Sequence, residues 1–551
     1  MIKKIQLYYN TLKHLRRKQI AYRLFYFVRS RWRKISGFSY KKSVEENVRG
    51  TFKVPRTSSS SSSLFLENSV PAPFTYAPKN AFTFLNLSKQ FDNEIDWEFA
   101  DYGKLWTYNL TYFDFLNQKE EWEDFAVILA DFIKKRPILK NANEPFPISL
   151  RGINWIKFFT KNKIQNPIFD RSLFQQYKIL ADNIEYHLLG NHLLENGFSM
   201  LFGAMYFQHA PFFKIAHDIL SKELNEQVLE DGAHFELCPM YHKIMLFRVL
   251  DCYNLLKNNV LDIQKVSKGK IFDLRQLLED KAVLMLSWLA NMTYEDGTTP
   301  HFGDSTEGIA PTSTELFDYA QRLNISYKKR PLSTSGFRKL KNEHFELVAK
   351  VGNIGPDYIP GHAHADSLSF ELRNFNKPLL VDMGISTYET NERRQLERST
   401  ASHNTVEIQG QNSSEVWGSF RVGNRAKATI LKDTDSTIWA VHDGYNKMGI
   451  KHERQFVLTD NSLEITDKTA ENVLSKAYWH FPPEVIVTID NNCVQFEGGG
   501  IKFFMNEKDN LLKKKIELAD YLYPSQFNTF LRATKIIVTF YGALKTQIYK
   551  A

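Results

Sequence analysis

Residues 361–384 read GHAHADSLSFELRNFNKPLLVDMG, and their period decides how the second half of the chain folds. Leu368, Phe370 and Leu372 alternate with Ser367, Ser369, Glu371 and Arg373, the period of two that a strand imposes. An Asn-Lys-Pro turn then leads into a second strand, LLVDMG. Downstream, HNTVEIQG, STIWAVHD, RQFVLTD, SLEITD, EVIVTID and CVQFEG keep the same alternation between Asp, Asn and Gly breaks. Residues 335–551 are therefore expected to form antiparallel sheets stacked as a β-sandwich.

Upstream the period changes. From about residue 80 to 330, segments such as EEWEDFAVILADFIKK, FQQYKILADNIEYHLL, FFKIAHDILSKELNEQVL, MYHKIMLFRVLDCYNLLKN and LLEDKAVLMLSWLANM repeat apolar residues three and four apart. Successive helices with short Gly, Pro or Asn breaks imply helices packed on helices, so the fold class is multidomain α+β. At 551 residues the chain exceeds what one core organises, and 43% hydrophobic with 14% aromatic residues is enough to fill two.

The formal charge of +9 is concentrated at one end. Residues 1–44 carry thirteen Lys or Arg and no acid, leaving about −4 for the rest of the chain. This arm interleaves basic and apolar residues at helical spacing, a pattern suited to an anionic membrane surface or a nucleic acid, or to a helix packed on its own protein. Residues 1–44 are expected to make peripheral membrane contact, and nucleic acid is not an expected partner. The run Ser58–Ser63 reads as a connector, so residues 1–64 form an arm and linker. No standard secretory signal and no membrane-spanning stretch is recognisable, although a cell-envelope location would suit the family resemblance below. Cys238, Cys252 and Cys493 share no spacing that implies a disulfide framework or a thiolate zinc site.

Three clusters could carry chemistry. In GNHLLENGFS, residues 190–199, His192 and Glu195 share a helix face beside Asn191. In DGAHFELCPMYHK, residues 231–243, Pro239 stands where a helix would begin and puts Tyr241 and His242 in its first turn. Taken singly each has a plain structural reading: Asn191 as a cap, His192 as a core histidine, Tyr241 as an interface aromatic with a paired hydroxyl. The third cluster is the opening stretch itself. His362 and His364 alternate, so an extended backbone projects both imidazoles to one side, with Asp382 ending the next strand and His403 following in RSTASHNT. Two histidines and a carboxylate suit Zn²⁺ with one position left open.

Together, GHAHADSLSFEL, the VDMG strand and RSTASHNTVEIQGQNSSEVWGSFRVG resemble the C-terminal domain of the heparinase II/III family of polysaccharide lyases, which includes related alginate lyases. NHLLEN and PMYH resemble the same family's helical domain. The resemblance covers roughly residues 95–430 and implies an N-terminal (α/α) toroid followed by an antiparallel β-sandwich. It further implies that Asn191 neutralises the substrate carboxylate, that His192 is catalytic with Glu195 nearby, and that Tyr241 is a general acid or base. His362 would line the cleft, Tyr388 would join it, and His364, Asp382 and His403 would hold a structural zinc.

The implied reaction is β-elimination on a uronate-containing polymer, glycosaminoglycan-like or alginate-like. An ionised carboxylate resists formation of a carbanion at C5, so donors such as Asn191 and a histidine must neutralise it. Tyr241 or His192 would then take the proton, and a tyrosine would return one to the leaving oxygen. Two other classes compete. HAHAD is also similar to the HxHxD of binuclear metallohydrolases, but Ser367 stands after Asp366 where that motif expects histidine. A non-catalytic acidic-polysaccharide-binding or assembly protein would keep the groove while losing the chemistry.

Overall fold

The structure is a computed structural model that describes residues 2–38, 40, 64–119, 125–260, 266–490, 493–505 and 515–550. The serine run expected as a connector lies outside the described residues, as do the first residues of EEWEDFAVILADFIKK. An α/α toroid is followed by a β-sandwich, and the basic arm lies across both.

The arm consists of helices α1 (Ile2–Leu12) and α2 (Arg17–Ile35). A small antiparallel sheet, Tyr76–Ala77, Ala81–Phe84 and Leu87–Gln90, precedes the toroid. That sheet was not expected within a helical region; its polar turns pin the aromatic residues Tyr76, Phe82 and Phe84 against the helical core. The toroid then runs α3 (Lys104–Tyr112), α4 (Phe125–Lys135), α5 (Pro145–Lys161), α6 (Pro167–Asp182), α7 (Gly190–Phe207), α8 (Ala210–Gln227), α9 (Pro239–Asn258), α10 (Lys268–Met292) and α11 (Ser313–Arg322). Each of α5, α6, α8 and α9 has a proline in its first turn, where a missing N–H costs nothing. α7 packs on α5, α8 and α9, and nearly every one of its residues is buried, which is why its sequence is apolar on all sides.

The sandwich holds an eight-stranded antiparallel sheet and two four-stranded ones. One four-stranded sheet is Phe337–Lys341, Phe345–Lys350, Phe370–Asn374 and Lys377–Leu380, in that order. In the other, Leu474–His480 lies between Thr529–Tyr541 and Val406–Ile408. Phe370, Leu372, Phe456, Ile465, Trp479 and Ile536 belong to the shared core between the sheets.

Residues 361–384 depart from expectation in three ways. The first strand begins only at Phe370, because Leu368 takes a positive φ of 59°, and the turn falls on Phe375 and Asn376, one residue early. The polar side of the strand is not solvated: Ser367, Ser369, Glu371 and Arg373 are all buried. Glu371 accepts from Tyr294 Oη and the backbone N–H groups of His301 and Asp382, and Arg373 pairs with Asp296 at 2.7 Å. The toroid's residues 294–304 cover that face, so alternation here marks a domain interface rather than a water-facing surface.

Candidate functional site

The backbone is distorted where α7 begins. Leu189, at φ 64° and ψ −155°, and Gly190, at φ 58°, turn the chain abruptly into the helix and deliver Asn191 and His192 at its first turn. Asn191 is 5% exposed, and its backbone N–H donates to the Glu236 carboxylate. The His192 side chain keeps 37% exposure, with Nδ1 3.1 Å from Glu185 Oε1 and its ring centroid 4.6 Å from that of Phe146. Burial opposes its protonation, but Glu185 outweighs that effect and raises the pKa above the ordinary histidine value.

Tyr241 enters from the first turn of α9. Its ring stacks on His362 at 3.7 Å between centroids, and its hydroxyl is 3.0 Å from that of Tyr388. Burial pushes both phenols well above their ordinary pKa; the hydrogen bond from Tyr388 favours the Tyr241 phenolate but does not overcome it. Both are therefore proton donors at neutral pH. Glu236, 3% exposed, lies between the two histidines of the cleft: its Oε2 is 3.8 Å from His362 Nε2, and His192 also acts on it electrostatically. Burial raises its pKa.

Glu195, on the same helix as His192 and acting on it electrostatically, lies deeper than the exposed face of the cleft. It is 1% exposed and its carboxylate lies 3.3 Å from Arg248 Nε, in a buried network that also holds Asp251 and Lys157. It supports the helices under the cleft.

The residue that joins the two halves of the site is Asp304. It is fully buried, and both imidazoles of HAHAD reach it: His362 Nδ1 lies 2.8 Å from Oδ2 and His364 Nε2 2.8 Å from Oδ1. Arg394 clamps the same carboxylate through Nη1 at 2.5 Å and Nη2 at 2.8 Å. Burial favours the neutral acid, but Arg394 and the histidines hold the pKa well below the usual carboxylate range. Gly303 makes the approach possible. It has φ 60°, and a Cβ there would stand 2.8 Å from the His362 carbonyl, which accepts the Asp304 N–H.

Sequence reasoning missed Asp304, Arg394 and Glu236. Glu236 stood inside a quoted segment without a motif role, Asp304 in an ordinary Gly-Asp loop, and Arg394 in NERRQLE, which reads as a solvated charge run. The close Gly303–Asp304 pair, three residues after Pro300, was the available signal.

His364, Asp382 and His403 are all fully buried and close together. His403 Nδ1 is 2.9 Å and 3.0 Å from the two Asp382 oxygens, and the two imidazole centroids are 5.2 Å apart. Among the described residues, no group of three His, Cys, Asp or Glu side chains is spaced to grip a metal ion as the side chains stand. The donor chemistry nonetheless fits zinc. His364 Nδ1 is buried with no hydrogen-bond partner while Asp304 holds its other nitrogen, and Asp382 is kept ionised against its burial by His403.

Two family models match the chain: the heparinase II/III N-terminus over residues 16–323 and the heparinase II/III-like C-terminal domain over residues 325–550. A heparin-sulfate lyase of Bacteroides stercoris is 24% identical over 389 residues, covering 60% of this chain and 55% of the relative. A heparin-sulfate lyase of Pedobacter heparinus is 24% identical over 366 residues, covering 58% and 53%. The chain thus spans about half the length of the curated relatives it matches. Among solved structures, a heparinase III superposes with a TM-score of 0.61 at 16% identity, over 84% of this chain and 80% of that one. A heparan sulfate lyase from Pedobacter heparinus gives 0.56 at 17%, over 86% and 81%. These likenesses show the fold: a toroid joined to a sandwich.

Proposed function

The chain belongs to the heparinase II/III family, and from that premise we propose that it is a polysaccharide lyase, cleaving a uronate-containing polymer by β-elimination. The observation that carries this reading is the meeting of Tyr241, Tyr388 and His362 from two domains, with Asn191 and His192 across Glu236. Asn191 and His362 engage the uronate carboxylate and stabilise the enolate-like state as charge moves onto it. His192 takes the C5 proton, since its side chain is still open to the cleft and Glu185 holds its Nδ1. Tyr241, protonated and braced by Tyr388, gives a proton to the departing O4. The C5–H and C4–O4 bonds break, a C4–C5 double bond forms, and no water is consumed. His192 then loses its extra proton to solvent and Tyr241 regains one.

A structural zinc ion is also proposed. His364, Asp382 and His403 would hold it, supported by the orphaned His364 Nδ1 and the ionised Asp382. Its contribution when bound is to fix the loop that presents His362. The test of the whole reading is mass spectrometry of the products released from uronate polymers. Elimination leaves an unsaturated product lighter by one water than its hydrolytic counterpart, whereas products of the full hydrolytic mass would refute the reading.

A second reading concerns the arm. Leu24, Phe27, Val28 and Trp32 on α2 are 63%, 55%, 56% and 63% exposed beside Arg31 and Lys34, supporting peripheral contact with an anionic membrane surface. Among the described residues no helix is long and apolar enough to cross a membrane. Binding to phosphatidylglycerol vesicles should fall in a Phe27→Ser/Trp32→Ser chain; unchanged binding would dismiss this contact.

A further inference from the structure

The inner face of α2 does not seal onto the toroid. Between them lies a groove of about 1070 Å³, lined by Arg23, Arg33 and Lys34 of the arm and by Arg136, Arg171 and His187 of the toroid. Its cations are under-neutralised. Arg29 and Arg33 share one carboxylate, that of Asp182, at 3.1 Å and 2.6 Å. Glu144 is the one acid among the lining residues, and Lys104 and Tyr108 already occupy it. The side chains of Arg23, Lys34 and Arg171 make no hydrogen bond or ion pair with any described residue.

Arg136 is the most telling of these groups. It is 7% exposed, yet its acceptors are neutral: Asn143 Oδ1 at 3.1 Å and Gln175 Oε1 at 3.4 Å, with Nε unpartnered. Burial lowers its pKa to about 10. Behind it Arg151 is wholly buried and is met by Gln176 and the carbonyls of Thr111 and Ala142, again without a carboxylate. Buried guanidinium groups are ordinarily paired with acids, and an anion arriving from outside would supply what this wall lacks.

The groove also abuts the cleft. Pro145 lines it, and the next residue, Phe146, lies against His192; His187 lines it two residues after Glu185, the partner of His192. Tyr26, Phe38 and Tyr40 add aromatic faces of the kind that pack on sugar rings.

We propose that this groove is a second carbohydrate-binding site, which holds a carboxylate- or sulfate-bearing stretch of the polysaccharide beyond the reacting sugar, with the N-terminal helix as one wall. The proposal rests on the reading of the cleft as one that acts on acidic polysaccharide. It gives the basic arm a role in the selection of long chains over short ones.

The test uses the full chain made inert by Tyr241→Phe, titrated with size-graded heparan sulfate and alginate oligosaccharides. Adding Arg23→Glu with Arg171→Glu, both at exposed positions, should weaken binding of the longer oligosaccharides by about tenfold or more, while disaccharides bind as before. Arg171→Glu alone, with the arm untouched, should show part of the same loss. Unchanged affinity for long oligosaccharides would overturn the proposal. So would a groove variant that keeps oligosaccharide binding but loses binding to vesicles of phosphatidylglycerol, which would identify the ligand as a lipid headgroup. The two readings separate cleanly. Length-dependent binding that needs the groove, in a chain whose unmutated form cleaves nothing, would leave this site standing and remove the lyase. Cleavage with groove-independent binding would do the reverse.

Discussion

Two interfaces of this molecule are built with arginine, and they treat its charge in opposite ways. Between toroid and sandwich, Arg394 is fully buried and bound by both oxygens of Asp304, which in turn fixes His362 and His364. Between toroid and arm, Arg136 is nearly as buried but meets only amide oxygens, and Arg23 and Arg171 stand unpaired. Around Asp304 the charges are closed and the geometry of the candidate site is held rigid; around Arg136 and Arg171, apart from the pairing of Arg29 and Arg33 with Asp182, they are left open and so are prepared for an anion. The same residue type reports different functions according to whether the chain itself supplies the counter-charge.

The comparison can be broken most severely at Asp304. Asp304→Asn strips the charge from beneath Arg394 and two imidazoles, and unfolding experiments should show a loss of about 3–5 kcal/mol together with loss of activity. A change under 1 kcal/mol would mean that the closed interface is not closed by this carboxylate. Metal removal comes next. A chelator should lower Tm by on the order of 5 °C, with zinc restoring it, because an ion held by His364, Asp382 and His403 stabilises only the folded chain. No shift in Tm would remove the zinc from the account.

Glu185→Gln sharpens the assignment of the base. His192 acts when deprotonated, so activity rises with pH through its raised pKa. Without the Glu185 charge that pKa falls, and the acidic limb of kcat/KM should move to lower pH; a limb that stays in place would give the base role to another group. The smallest effect is expected on the open side. Arg171→Gln should alter stability by less than about 0.5 kcal/mol, since no partner is lost, and denaturant melts would detect a larger change.

Much of the fold was legible because period survives burial. The helix that follows Pro239 begins where that proline placed it, Tyr241 lies in its first turn as expected, and the apolar repeats at 174–182, 212–227 and 277–292 fall within α6, α8 and α10. The segment after Asp182 was read as helix but is not one, because Asn183 ends α6 and the chain must turn to reach α7. The strand at 370–374 was legible, but its second buried face was not, since Glu371 and Arg373 look solvent-facing until the residues that pair with them are known. Among the candidate residues, Asn191, His192, Tyr241 and His362 could be named in advance because short motifs carry them, while Tyr388 came only through the family resemblance. Asp304 and Arg394 could not. They lie 90 positions apart, and only the docking of one domain on the other brings their charges together.

The central claim is that this cleft eliminates rather than hydrolyses, and the most direct measurement follows ultraviolet absorbance as the purified protein meets a panel of uronate polysaccharides. The account predicts a rise from the new double bond conjugated to the carboxylate, reduced about 10²–10⁴-fold in Tyr241→Phe while that variant stays folded. Chain scission without the absorbance, or full absorbance from the Tyr241→Phe protein, would contradict it.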